Sequence, residues 1–247
     1  MPTMIEMRLK ATWTVHPDTR QLHGLACALF ETDGTGHLGQ DKAFTVQPLR
    51  PAPGGSPGEW TLRAAWLPDD AAPATASMAD QLRVGHVRCL VAESTQRRVT
   101  HAALAAGPPV TSVTAGFTSP TYFSQNGLDL LVPDPRLIAG SWRRRWNASL
   151  PDGDPLAVTD DAWHATRRAL GLAAFDLRTE GRDSGHGKDR AGFTGSATLR
   201  LARDAPAPAG QILGTLARFA EYCGTGAQTT HGFGATTLLR GGGNPDG

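Results

Sequence analysis

The spacing with the clearest chemical content lies near the C-terminal end. There, Phe219-Ala220-Glu221-Tyr222-Cys223 runs into Gly224-Thr225-Gly226-Ala227-Gln228-Thr229-Thr230-His231-Gly232-Phe233-Gly234, followed by Ala235-Thr236-Thr237-Leu238-Leu239. Apolar residues at helical period over Gln211 to Tyr222 lead into the glycines, and a short β-type run follows them. Glycine tolerates positive φ and lets backbone N–H groups come close to a bulky anion, so helix, glycine turn and strand have the parts of a phosphate-backbone clamp. On its own, such a stretch is more often only a turn. Walker loops and dinucleotide fingerprints run strand, glycines, helix, and the GxxxxGK[ST] spacing is absent, so mononucleotide binding by those routes is disfavoured.

Bulk properties narrow the setting. The chain has 247 residues, enough for one large domain or two of roughly 100 to 130 residues each. With 24 basic and 23 acidic residues the formal charge is +1, so a polyanion has to be met by a local patch and not by a global field. Lys10, Lys42 and Lys188 are the only lysines, and arginine supplies the remaining positive charge. Cys27, Cys89 and Cys223 lie far apart with no CxxC pair, which argues against a disulfide framework or a structural zinc site. No cofactor and no metal are expected. The start of the chain lacks a signal-peptide pattern and no apolar run approaches ~18 residues, so a cytoplasmic protein without membrane contact is expected.

The elements that must position these residues follow from periodicity. Ile5 to Val15 alternates as a strand. Asp18 and Thr19 can cap a helix to about Phe30, with Leu22, Leu25, Ala26 and Leu29 on one face. Phe44 to Leu49 and Glu59 to Leu67 read as strands, Ala72 to Val84 as a helix and His86 to Glu93 as a strand. This order is β-α-β-β-α-β, the ferredoxin-like or RRM-like pattern. After a Pro-, Gly- and Thr-rich boundary at Gly107 to Ser119, strands are expected at Val110 to Phe117, Ala173 to Arg178, Phe193 to Leu201 and His231 to Leu239. Helices are expected at Pro135 to Asn147, Asp160 to Leu170 and Gln211 to Tyr222, and Gly241 to Gly247 reads as a disordered tail. The fold class is therefore α+β, with two tandem ferredoxin-like domains, residues 1–109 and 110–247, and a C-terminal glycine-rich loop.

Several stretches together resemble one family, the CRISPR-associated endoribonucleases that cut precursor CRISPR RNA within its repeats, members of the RAMP superfamily. The C-terminal signature is carried by Gly192-Phe193-Thr194-Gly195, Phe219 to Tyr222, Gly224-Thr225-Gly226, Thr229-Thr230 and Gly232-Phe233-Gly234. Phe117 to Phe123, with Pro133, Pro135 and the Trp142-to-Asn147 segment, is similar to the opening of the family's C-terminal domain. His37, Lys42, Phe44 and Thr45, downstream of Leu22-His23-Gly24-Leu25, are similar to the family's catalytic histidine and the lysine near it.

The resemblance implies metal-independent RNA cleavage, in which the ribose 2′-OH attacks the adjacent phosphate to leave a 2′,3′-cyclic phosphate and a 5′-OH. His37 would transfer protons and Lys42 would stabilise the phosphorane. Some relatives carry a tyrosine in the first helix where Cys27 stands here; Cys27 reads as core, and His23, one turn earlier, is the candidate second acid or base. Repeat-RNA contacts are expected from Arg143, Arg144, Arg145, Arg167 and Arg168, because arginine forks match phosphate geometry. The turn residues Gly224, Gly226, Thr229, Thr230, His231, Gly232 and Gly234 are expected to grip the same RNA. Arg182, Lys188 and Arg190 lie on a polar segment suited to wrapping it. Trp142, Trp146 and Trp163 could stack on bases, although core packing is favoured. The partner is repeat RNA, with the protein a monomer or homodimer. The alternative is a non-catalytic RAMP subunit that holds CRISPR RNA beside other subunits of an effector complex.

Overall fold

The computed structural model describes residues 1–11, 16–31, 42–183 and 189–239. Its first half is built on β1 (Thr3–Lys10), α1 (Thr19–Phe30), β2 (Phe44–Val46), β3 (Arg50–Pro51), β4 (Glu59–Trp66), α2 (Thr75–Met78), β5 (Gln81–Val84) and β6 (Val87–Arg98). The antiparallel sheet runs in the order β2-β4-β1-β6-β5, with β3 on the edge of β4. Ile5, Met7 and Leu9 of β1 point into the core against Leu22, Leu25 and Leu29 of α1, as the alternation in sequence requires. The helix starts at a capping box in which Asp18 accepts from the Gln21 N–H and the Gln21 side chain reaches back to the Asp18 N–H.

After α3 (His101–Ala105), the second half comprises β7 (Ser112–Thr121), a hairpin of β8 (Phe123–Gln125) and β9 (Leu128–Leu130), α4 (Pro135–Ala148), α5 (Asp160–Ala169), β10 (Leu170–Asp183), β11 (Asp189–Leu201), α6 (Ala207–Cys223) and β12 (Thr236–Leu239). Its sheet runs β10-β11-β7-β12. Counted by principal strands, both sheets place the second, third, first and fourth strands side by side, so the two halves are tandem ferredoxin-like units.

One expected element is replaced. Ala72 to Val84 is not a helix: one turn forms at Thr75–Met78, and Gln81–Val84 is a strand paired with Val87–Leu90. Leu82 and Val84 are buried while Gln81 and Arg83 are exposed, and Gly85 at φ +60° makes the tight turn. Cross-strand pairing thus overrides the helix propensity of the alanines. The last strand also begins later than expected: Thr229–His231 forms a single 3-10 turn, and pairing with β7 starts at Thr236. Trp142 and Trp146 are fully buried and Trp163 nearly so, which makes all three core residues and removes them as base-stacking platforms.

The halves are joined by hydrogen bonds between buried groups. The Thr45 hydroxyl donates to the Tyr222 carbonyl at 2.7 Å and Arg145 donates to the Phe44 carbonyl at 3.0 Å. Arg218 of α6 donates to the carbonyls of Leu104, Gly107 and Pro108, closing the connecting segment onto the second half. Asp69, His101 and Ser149 line up in the order of a hydrolase relay, at 2.9 and 2.8 Å. His101, however, has no exposed surface, packs on Trp146 and Phe219, and the Ser149 hydroxyl also donates to the Trp146 carbonyl. No substrate can approach, so the trio pins the halves together. Among the described residues no helix is long and apolar enough to cross a membrane.

Candidate active site and nucleic-acid interface

The glycine turn is shaped by the chain's own backbone. Gly224, Gly226, Gly232 and Gly234 all have positive φ, between +66° and +86°. A Cβ on Gly226 would strike the Tyr122 carbonyl, and one on Gly234 would strike the Thr225 carbonyl. Many of its N–H groups are committed internally: Thr225 N–H donates to the Gly234 carbonyl, Ala227 N–H to Tyr122, Gly234 N–H to Pro120, and Gly226 N–H to the Ser141 hydroxyl. The Trp142 indole N–H donates to the buried Thr225 hydroxyl at 2.7 Å. The glycines therefore permit a self-closed turn before they permit contact with an anion.

That turn docks on the first half of the molecule. The rings of His23 on α1 and His231 in the turn stack with centroids 4.0 Å apart and 6° between planes. His23 Nδ1 lies 3.1 Å from the Thr230 carbonyl, which can only accept, so Nδ1 carries the hydrogen. In the neutral ring Nε2 is then the acceptor, and it lies 3.5 Å from Cys27 Sγ. His231 Nδ1 sits 2.9 Å from the Thr230 hydroxyl. Burial, followed by the charges of His23 and Arg190, pushes the His231 imidazole down to about 4. Gly232 packs against Leu22 and beside the Arg182 guanidinium.

Residues at four-residue spacing share a face of a helix, and His23, Cys27 and Glu31 carry the site along α1. The Cys27 thiol is pushed up to about 11 by burial and by the neighbouring Glu31 carboxylate, so it stays protonated near neutrality. The Glu31 carboxylate accepts from Lys42 Nζ at 2.7 Å, with 6% and 13% of the two side chains exposed. Glu31 carried no signal in the sequence analysis, although its spacing from His23 and Cys27 was there to be read. His37 and Lys188 lie outside the described residues.

The arginines divide sharply. Arg145 is half-buried and binds the Phe44 carbonyl, and Arg143 donates to the Val158 carbonyl and to Asp160. Both have protein partners that explain them. Arg144, Arg167 and Arg168 are exposed. Arg167 and Arg168 close the last turn of α5, where positive charge suits the helix dipole, and share a shallow basic hollow with Arg136 and His164. Arg182 is different in kind: burial lowers its affinity for its proton, and its Nε is buried without a hydrogen-bond partner among the described residues. A desolvated guanidinium beside a glycine turn is a natural seat for an anion. Arg190 donates to the Tyr122 hydroxyl at 2.6 Å.

Residues 116–236, which run from β7 to β12, match the family model of the CRISPR-associated endoribonuclease Cas6. A Thermus thermophilus Cas6 solved as a product complex is 28% identical with a TM-score of 0.80, over 97% of this chain and 99% of that one. Another Cas6 product complex is 26% identical, also with a TM-score of 0.80, over 97% of this chain and 100% of its own. A RAMP protein binding different RNA substrates, 14% identical with a TM-score of 0.57 over 96% of this chain and 100% of that one, shares the fold. No curated protein matches the chain.

Proposed function

The chain belongs to the Cas6 family of CRISPR-associated endoribonucleases, and we propose that it cuts precursor CRISPR RNA within its repeats by metal-independent attack of a ribose 2′-OH on the adjacent phosphate. The observation that supports this reading is the docking of the glycine turn on α1: Thr230 and His231 of the turn contact His23, on the helix whose terminal Glu31 holds Lys42.

In the proposed reaction a base takes the 2′-OH proton, the 2′-oxygen bonds to phosphorus, and the bond to the 5′-oxygen breaks as that oxygen receives a proton. The products are a 2′,3′-cyclic phosphate and a 5′-OH. His37 is assigned to proton transfer, since an imidazole titrates near neutrality. Lys42 supplies positive charge to the phosphorane. His23 has both ring nitrogens against protein groups, so it would serve as the second acid or base only after its Nε2 leaves Cys27. Held as it is, it fixes the turn that orients the RNA. Arg182 and the exposed Arg144, Arg167 and Arg168 are assigned to phosphate contacts, and the partly exposed Thr230 to the surface along which the backbone passes; Thr229 and Gly232 are buried and shape the turn from within.

The test is cleavage of repeat RNA from the native locus in the presence of EDTA. Cleavage should be abolished by a 2′-deoxy substitution at the cut site, and His37→Ala should lose cleavage while retaining binding. Full activity of that variant would sink the assignment of His37. Tight binding of every cognate repeat with no cleavage would select the RNA-holding subunit instead.

A further inference from the structure

We infer that Glu31 is a positioning residue for Lys42 in this reaction, an inference that rests on the function proposed above. The Lys42 ammonium meets Glu31 Oε1 at 2.7 Å, and both side chains are largely withdrawn from water. Lysine carries its charge on a flexible four-carbon stem, and a cation useful to a phosphorane has to be in place before charge develops there. A carboxylate fixed on a helix end supplies that restraint. Glu31 is itself fixed where the helix ends: its backbone N–H donates to the Cys27 carbonyl to close α1, and its carboxylate lies beside the buried Cys27 side chain.

Helix stability does not account for the acid. Glu31 stands at the C-cap of α1, the negative end of the helix dipole, where a basic side chain is favoured and a carboxylate is not. A buried ion pair is also a poor source of stability compared with apolar packing, because both ions lose their hydration. The placement is explained by what Glu31 does to Lys42.

The test is single-turnover cleavage of a cognate repeat by wild type, Glu31→Gln, Glu31→Asp, Lys42→Ala and the Glu31→Gln/Lys42→Ala double variant. Glu31→Gln should slow the chemical step about 10- to 100-fold with RNA affinity held within about threefold, and Glu31→Asp should recover part of the loss. In the Lys42→Ala background the same substitution should cost less than about twofold. Equal slowing with and without Lys42 would overturn the inference. A second readout needs no RNA: with only three lysines in the chain, 13C reductive methylation gives a Lys42 signal, identified by its loss in Lys42→Arg. That signal should be restrained in wild type and mobile in Glu31→Gln; identical mobility in both would also overturn the inference. Wild-type protein that cleaves no cognate repeat while Lys42 is released by Glu31→Gln would overturn the proposed function and not the pairing.

Discussion

The imidazole of His231, at the far end of the chain, lies flat on that of His23 in the first helix, with ring centroids 4.0 Å apart. This contact joins the glycine turn to the helix that carries Cys27 and Glu31. The ring-on-ring geometry and the His23–Thr230 hydrogen bond should appear as coupling. In urea unfolding, His23→Ala and His231→Ala should each cost about 1–2 kcal/mol, with an interaction energy of about 0.5–1.5 kcal/mol in the double variant. Strict additivity would mean that the two rings do not stabilise each other.

The same stack predicts a dependence on pH. His231 titrates near 4 in the folded protein, below the ~6.5 of an unperturbed histidine, so between these values the unfolded chain holds a proton that the folded chain does not. Stability therefore falls as pH drops from ~6.5 towards ~4. Buried His101 is also depressed, chiefly by burial, and adds a loss of the same sign. Each pKa unit is worth ~1.4 kcal/mol before solvent screening reduces it for a partly exposed ring, so His231→Gln should remove on the order of 2 kcal/mol of the acid sensitivity. Thermal unfolding of both proteins across this range checks it; parallel curves would count against the buried neutral imidazole.

Glycines in this chain should differ by what their neighbours are. Gly234→Ala and Gly226→Ala drive a Cβ into backbone carbonyls at positive φ and should cost about 3 kcal/mol or more, taking RNA binding with them. Gly232→Ala, also at positive φ, meets no backbone but the end of the Leu22 side chain at 2.8 Å and the Arg182 guanidinium at 3.6 Å, and should cost about 1–2 kcal/mol. Gly24, in α1 with nothing within 4 Å of a built Cβ, should gain about 0.5–1 kcal/mol on replacement by alanine. Denaturation midpoints order the series.

Adjacent arginines should separate stability from binding. Arg145→Ala removes the donor to the Phe44 carbonyl and should lower stability by about 1–3 kcal/mol. Arg144 is exposed, so Arg144→Ala should leave the melting temperature in place while weakening RNA binding and lowering its salt slope by about one. Unfolding curves and binding isotherms at several salt concentrations distinguish them.

Much of this protein is written locally. The alternation of Ile5, Met7 and Leu9, the capping residue Asp18, and Asp134 followed by Pro135 each specify an element through contacts within a few residues. The exception in the first half, Gln81–Val84, looked helical because alanine propensity is local while its pairing partner Val87–Leu90 lies beyond a turn. Among the candidate site residues, Lys42 and His23 are proposed through the family resemblance, and the glycine turn from type and order. The partners of Arg145 and Arg143 were not legible, since a run of three arginines carries no mark of which one faces a carbonyl.

The sequence by itself determined the two ferredoxin-like patterns, the glycine turn and the kind of chemistry expected, because period, turn residues and signature spacing are properties of neighbouring residues. Only the tertiary structure decided that the turn's N–H groups close on Pro120, Tyr122 and its own carbonyls, that His231 seats on His23, and that Glu31 holds Lys42. Those are contacts between segments far apart along the chain, fixed by how the two sheets and α1 pack, and no local pattern encodes their distance.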